Sequence, residues 1–173
     1  LYYVSNRAPA LETNISTVIE NGKLAVKDTD NLAANNTYLV KKLEDGMVYI
    51  SLEISPSATN ASWSWITVYG LNNQTFDIRV LSTGNLGYRT GDATGGNVAF
   101  AANDTIKVYL EVNTLNGDVQ VNLTNVTKAS ETFTADVKTS NFGFASLRFV
   151  TADSASRNLH IDNLVISYEE GSI

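Results

Sequence analysis

The chain has no cysteine, only two prolines, one methionine and one histidine in 173 residues. Without cysteine there is no disulfide framework, no thiolate metal site and no cysteine nucleophile. The single histidine, His160, falls at the edge of an apolar alternation, where one imidazole is more often structural than catalytic. No apolar run approaches the roughly 18 residues that a membrane-spanning helix needs. Nor does any stretch hold a 3.6-residue apolar period for three turns, so helices are not expected. Positive charge is also scarce: 12 Lys and Arg stand against 18 Asp and Glu, for a net charge of −6. There is no basic patch, and nucleic acid is therefore not an expected partner.

What the chain does have in excess is Asn-x-Ser/Thr. Seven such triplets place acceptor asparagines at Asn14, Asn35, Asn60, Asn73, Asn103, Asn122 and Asn125. Each can carry a bulky, solubilising N-linked glycan, and such a glycan must sit on the surface of an exported protein. The chain starts at Leu1 without a methionine or a basic leader, which suits a mature extracellular or cell-surface product. Its length predicts one domain over residues 1–173, large enough to bury a core without staples. Within it, residues 1–15 are expected as an N-terminal extension or donor strand.

The rest reads as strand. In Met47–Ile54, Val48, Ile50, Leu52 and Ile54 face one side, with Tyr49, Ser51 and Glu53 on the other. Ile106–Val112 repeats this with Lys107, Tyr109 and Glu111 outward, and Val119, Val121 and Leu123 continue it. Between the last two runs, Asn116-Gly117 marks a hairpin turn. Further strands are expected at 23–27, 37–42, 62–69, 75–80, 86–90, 131–137, 142–150 and 158–168. Thr90–Gly96 reads as a Gly-rich loop; it lacks the helix and the Lys-Ser/Thr of a phosphate-binding loop. Many short strands with frequent turn signals predict an all-β sandwich or barrel.

The succession "ENGKLAVKD", "VYISLEIS", "FDIRVLSTGNLGYRTG", "NDTIKVYLEVNTLNGDVQVNLTN" and "FGFASLRFVTADSASRNLHIDNLVIS" resembles the concanavalin A-like lectin/glucanase superfamily, including laminin-G-like and carbohydrate-binding-module domains. That resemblance runs from about residue 18 to the end of the chain. It implies an antiparallel jelly-roll β-sandwich of two sheets, but lectins, enzymes and adhesive modules share this scaffold. Glucanases of the fold place paired carboxylates on one strand as E-x-D-x-x-E or E-x-D-x-E, and this chain has neither. Glu53 and Glu111 each stand alone, so no catalytic residues are expected.

Three other groups are candidates for binding or assembly. Trp63 and Trp65 share a predicted face with Thr67 and Tyr69. Two tryptophans so placed either stack on sugar rings or close the end of the core. With outward Tyr49, Tyr109 and Glu111, they make the carbohydrate-binding candidates. In the last strand the apolar phase breaks at Asp162-Asn163, which reads as a β-bulge. The resemblance implies a structural calcium near such an acidic residue, with Asp162, Asn163 and Asp28 as ligands and Asp30 or Glu12 as further donors. Finally, Leu1, Tyr2, Tyr3 and Val4 form a β-prone apolar strand. It pairs with its own sheet or is donated to a neighbouring subunit. The primary expectation is a glycosylated, non-catalytic subunit of an extracellular filament or coat, self-associating into a polymer. The alternative is a calcium-dependent carbohydrate-binding domain with extracellular glycans as partners.

Overall fold

A computed structural model of the chain describes residues 2–6, 15–20, 22–28, 37–150 and 158–173, with the backbone alone described at 2–6, 15–20, 26–28, 37–39, 72 and 150. Among the described residues fourteen strands appear in chain order: β1 Tyr2–Asn6, β2 Ile15–Glu20, β3 Lys23–Asp28, β4 Thr37–Lys42, β5 Met47–Pro56, β6 Ser64–Tyr69 and β7 Thr75–Val80. They continue as β8 Leu86–Thr90, β9 Ala93–Val98, β10 Ile106–Asn113, β11 Asp118–Asn125, β12 Thr132–Lys138, β13 Ser146–Val150 and β14 Asn158–Ser167. Seven make a first sheet in the order β1-β4-β13-β6-β7-β8-β9. The other seven make a second, β12-β11-β10-β5-β14-β3-β2. Every pairing is antiparallel and consecutive strands repeatedly change sheet, which is a jelly-roll sandwich. No described helix is long and apolar enough to cross a membrane.

The core lies between the sheets and is built from the alternations seen in sequence. Val48, Ile50, Leu52 and Ile54 of β5 meet Ile106, Val108, Leu110 and Val112 of β10, all essentially inaccessible. Each such side chain contributes about 1.5–3 kcal/mol of burial. From the first sheet come Ile66, Val68, Phe76, Ile78, Val80, Leu147 and Phe149. Tyr88 stacks between Phe76 and Phe133, at ring-centroid distances of 5.8 and 6.2 Å, and closes one flank.

Register shifts at three places among the described strands, and those in β14 and β6 set which side chains face out there. In β14 the register against β5 slips between Asp162 and Val165, with Asn163 in the left-handed region at φ 51°. Leu159 and Ile161 before the slip, and Leu164, Ile166 and Tyr168 after it, therefore all pack on the core. The phase break read from sequence is this bulge.

The second bulge overturns an expectation. In β6 the register slips between Ser64 and Ile66, which inserts Trp65 as an extra residue. Trp63 and Trp65 consequently share the core side with Ile66 and Val68, and are 2% and 0% exposed. Their rings meet edge-on at 5.9 Å, and Trp65 meets Phe100 at 5.2 Å. Neither tryptophan offers a face to a sugar.

Two strands were not anticipated. β2 lies before the first apolar alternation recognised, and β9 hides in the glycine-rich stretch after Thr90. At β9 the glycines permit close approach: a Cβ on Gly87 would stand 2.2 Å from the Gly95 carbonyl oxygen, and one on Gly95 would meet the Tyr88 ring. The Tyr88 ring covers this bare edge strand.

The N-terminal strand takes the first of its two expected pairings. β1 pairs along β4 of its own sheet, Tyr2 opposite Lys41 and Val4 opposite Leu39. Strand donation to a neighbour would require β1 to leave this edge. Leu1 lies outside the described residues.

Candidate functional site

Antiparallel register places the outward residues of β5, β10 and β11 in rows across the second sheet. One row runs Ser51–Tyr109–Asn122, flanked by Glu53–Lys107–Thr124 and by Tyr49–Glu111–Gln120. These residues are neighbours because each strand alternates in phase with the next. Between the rows lies a groove of about 280 Å³ lined by Ser51, Lys107, Tyr109, Asn122, Thr124 and Ile173.

Tyr109 is the aromatic wall of this groove. Its hydroxyl donates to Glu111 Oε1 at 2.9 Å, which fixes the ring along the strand. Burial, then the Glu111 hydrogen bond and charge, push its pKa up to about 12. Tyr49 lies beside the groove, and its pKa is raised by burial and by the Glu170 and Glu111 charges. Although on the outward side, Tyr49 is only 8% exposed. The turn after β14, held by hydrogen bonds among Ser167, Glu169 and Ser172, brings Glu170 close to it. Among the described residues, the side chains of Ser51, Lys107 and Asn122 make no hydrogen bond or ion pair, so their donors and acceptors face the groove unspent.

Of the five carbohydrate candidates, the fold brings Tyr49, Tyr109 and Glu111 together and sends Trp63 and Trp65 to the core. Ser51, Lys107, Asn122 and Ile173 were missed as groove residues. The signal for the first three was their outward parity on β5, β10 and β11. That signal acquires meaning only once the strand order is known. The Glu53 and Glu111 carboxylates sit on neighbouring strands, but Glu53 faces Lys107 and Glu111 faces Tyr49. Four residues of strand separate them, about 13 Å.

The proposed calcium trio is not brought together. Asp162 faces Glu53 across the bulge, and Asn163 directs its amide Nδ2 to Glu53 Oε2 at 3.1 Å. Asp162 Oδ1 already accepts the Asn163 backbone N–H at 2.8 Å. On β3, Leu24 is opposite Ile161, so Asp28 lies roughly 16 Å along the strand from the level of Asp162. A calcium shell takes six to eight converging oxygens, and these residues do not fit one. No described cluster of three or more His, Asp or Glu is placed to hold a metal ion. Asp30 and Glu12 lie outside the described residues.

Four glycan acceptors are exposed: Asn60, Asn73, Asn103 and Asn122. Asn14 and Asn35 lie outside the described residues. Asn125 is a correction, since it is fully buried rather than at the surface. Its Nδ2 donates to the Ala99 carbonyl at 3.0 Å and to Asp104 Oδ2 at 2.9 Å, and its Oδ1 accepts from Lys128 N at 3.0 Å. A sugar on Nδ2 would replace one of these hydrogens inside the fold.

No family model and no curated protein matches the sequence. Solved structures do match along nearly the whole chain. Arcelin-5, a lectin-like defense protein from Phaseolus vulgaris, superposes with a TM-score of 0.66 at 8% identity, covering 95% of this chain and 91% of its own. A Lotus tetragonolobus seed lectin gives 0.65 at 8% identity, with 98% and 94% covered. A Bauhinia forficata lectin in complex with GalNAc gives 0.62 at 8% identity, with 96% and 98% covered. The chain thus has the concanavalin A-like jelly-roll fold of the legume lectins. At such identity the likeness is one of fold.

Proposed function

We propose that this domain is a non-catalytic, lectin-like carbohydrate-binding module that works outside the cell and holds a glycan in the groove above Ser51, Tyr109 and Asn122. The observation that carries this reading is the groove itself. A tyrosine ring, immobilised by Glu111, stands beside unspent amide, ammonium and hydroxyl groups. Sugars present apolar faces and rims of hydroxyls, and an aromatic ring with convergent polar groups matches both. The lectin structures that share the fold support the same class of activity. Strand donation is the filament reading's proposed mode of assembly, and in the single chain β1 pairs with β4 of its own sheet.

Asn122 makes the proposal sharply testable, since it lines the groove and is also a glycan acceptor. The domain should be made without glycosylation and screened on a glycan array. Tyr109→Ala and Lys107→Ala should each weaken retention of the best ligand about tenfold or more, while the folded state persists. Absence of any glycan ligand, or binding indifferent to both changes, would overturn the reading.

A further inference from the structure

The opposite face of the molecule carries a second polar arrangement that plays no part in the groove. Across the first sheet, register aligns Arg148 of β13, Thr67 of β6, Asp77 of β7 and Arg89 of β8 in one outward row. Four adjacent strands make this row about 14 Å long. The Asp77 side chain in it is only 4% exposed. Its Oδ2 accepts the Ser64 hydroxyl at 2.7 Å and the Arg89 guanidinium at 3.1 Å, and Arg79 stands at 3.8 Å. Its Oδ1 is buried without any hydrogen-bond partner. Unpaired buried acceptors are rare in folded proteins, and each calls for an explanation.

Charge is unbalanced in the same place. Two guanidinium groups, Arg79 and Arg89, share one carboxylate, which leaves one positive charge over in a chain of net charge −6. Arg79 is committed, with its other nitrogen donating to the Ser62 carbonyl at 2.6 Å. Arg89 is different: its side chain is 44% exposed and it makes a single hydrogen bond, to Asp77. Most of its five N–H donors are therefore available in the fork geometry that suits an anion. At the far end of the row the Arg148 guanidinium lies 3.8 Å from the centre of the Tyr69 ring, which holds its plane in place.

We infer that this row is a second binding site, for a saccharide bearing an anionic group beside free hydroxyls, with a uronic acid residue as the simplest ligand. The anion takes the open side of Arg89, which keeps its hydrogen bond to Asp77 Oδ2, and a neighbouring hydroxyl supplies the donor that Asp77 Oδ1 lacks. A neutral sugar answers only half of this chemistry. A sulfated sugar offers the same shared anion from a different source. The inference does not depend on the groove of the second sheet.

Calorimetric titration of the whole domain with trigalacturonate, a sulfated trisaccharide and maltotriose tests it. An acidic trimer should bind, its affinity should fall as salt rises, and maltotriose should bind at least tenfold more weakly. Arg89→Ala should weaken the acidic ligand about tenfold or more, with Arg89→Lys intermediate because one charge remains without the fork. Tyr109→Ala should leave this binding unchanged. Arg89-dependent binding of either anion supports the site, and the tighter ligand names the source. No heat with either acidic trimer, equal binding of maltotriose, or an Arg89→Ala protein that binds like the parent overturns it. The Arg89→Lys variant guards against a folding artefact, since it keeps the charge next to Asp77.

Discussion

Tyr109 and Glu111 lie two positions apart on the same outward face of β10, and the phenol donates to the carboxylate at 2.9 Å. Ionising Tyr109 would remove that donor and set two negative charges together. Its pKa accordingly rises from 10.0 to about 12, with burial as the largest cause. A tyrosine that keeps its proton longer in the folded state stabilises the fold in full below the unfolded value near 10. That contribution is lost as pH rises from about 10 to about 12.

An ultraviolet titration should therefore show one tyrosinate step near 12 that disappears in Tyr109→Phe. Glu111→Gln should bring the step down towards 10. A Tyr109 that titrates at 10 in the native protein would mean the Tyr109–Glu111 contact is not made in solution.

Trp65 is predicted to be a pillar of the core and to touch no ligand. Trp65→Ala should cost about 3–5 kcal/mol of stability in a denaturant titration. Because the ring is 0% exposed, iodide should quench little of the native tryptophan fluorescence. A mild effect on stability combined with loss of glycan binding would contradict this placement.

Asn125 should not be glycosylated, whereas Asn60, Asn73, Asn103 and Asn122 are sterically open. Peptide mass spectrometry of protein made in a glycosylating host should find the Asn125 peptide bare. Asn125→Ala should cost about 1–3 kcal/mol, because it leaves Asp104, the Ala99 carbonyl and Lys128 N without their shared partner. Asn60→Gln should lie within about 0.5 kcal/mol of the parent.

Gly70 marks where two loops touch. A Cβ there would stand 2.1 Å from the Phe142 carbonyl oxygen, which also accepts the Leu71 N–H at 2.8 Å. Gly70→Ala should lower stability by about 1–3 kcal/mol or more, since backbone rather than a flexible side chain must move. Gly84→Ala meets open space, but at φ 84° it is strained by its own backbone. Its loss should be about 1 kcal/mol and local to the turn between β7 and β8. Thermal melts of the two variants compare these costs directly.

Much of the architecture was legible in the chain because period-2 alternation is a local property. β5, β10 and β11 could be read residue by residue, and the bulge at Asp162-Asn163 betrayed itself as a change of parity. The Asn116-Gly117 hairpin was equally local: Gly117 has φ 81°, and Asn113 Oδ1 accepts the N–H groups of Leu115 and Asn116. Strand β9 was not legible, since glycine carries no side chain to alternate. Its covering ring, Tyr88, belongs to another strand. The bulge at Trp65 left no parity signature either, because tryptophan suits both a core and a sugar face.

By itself, then, the sequence determined the all-β class, the strand alternation that builds the core and the turns between strands. Each of these follows from a residue and its near neighbours. Which outward residues become neighbours was decided by tertiary structure alone. Tyr109 meets Ser51 and Asn122, and Asp77 meets Arg89, because register couples positions 12 to 58 residues apart. Tertiary structure also decided that Asn125 turns inward while Asn122, three residues before it, stays at the surface. That choice depends on Asp104 and Ala99, which reach Asn125 only across the fold.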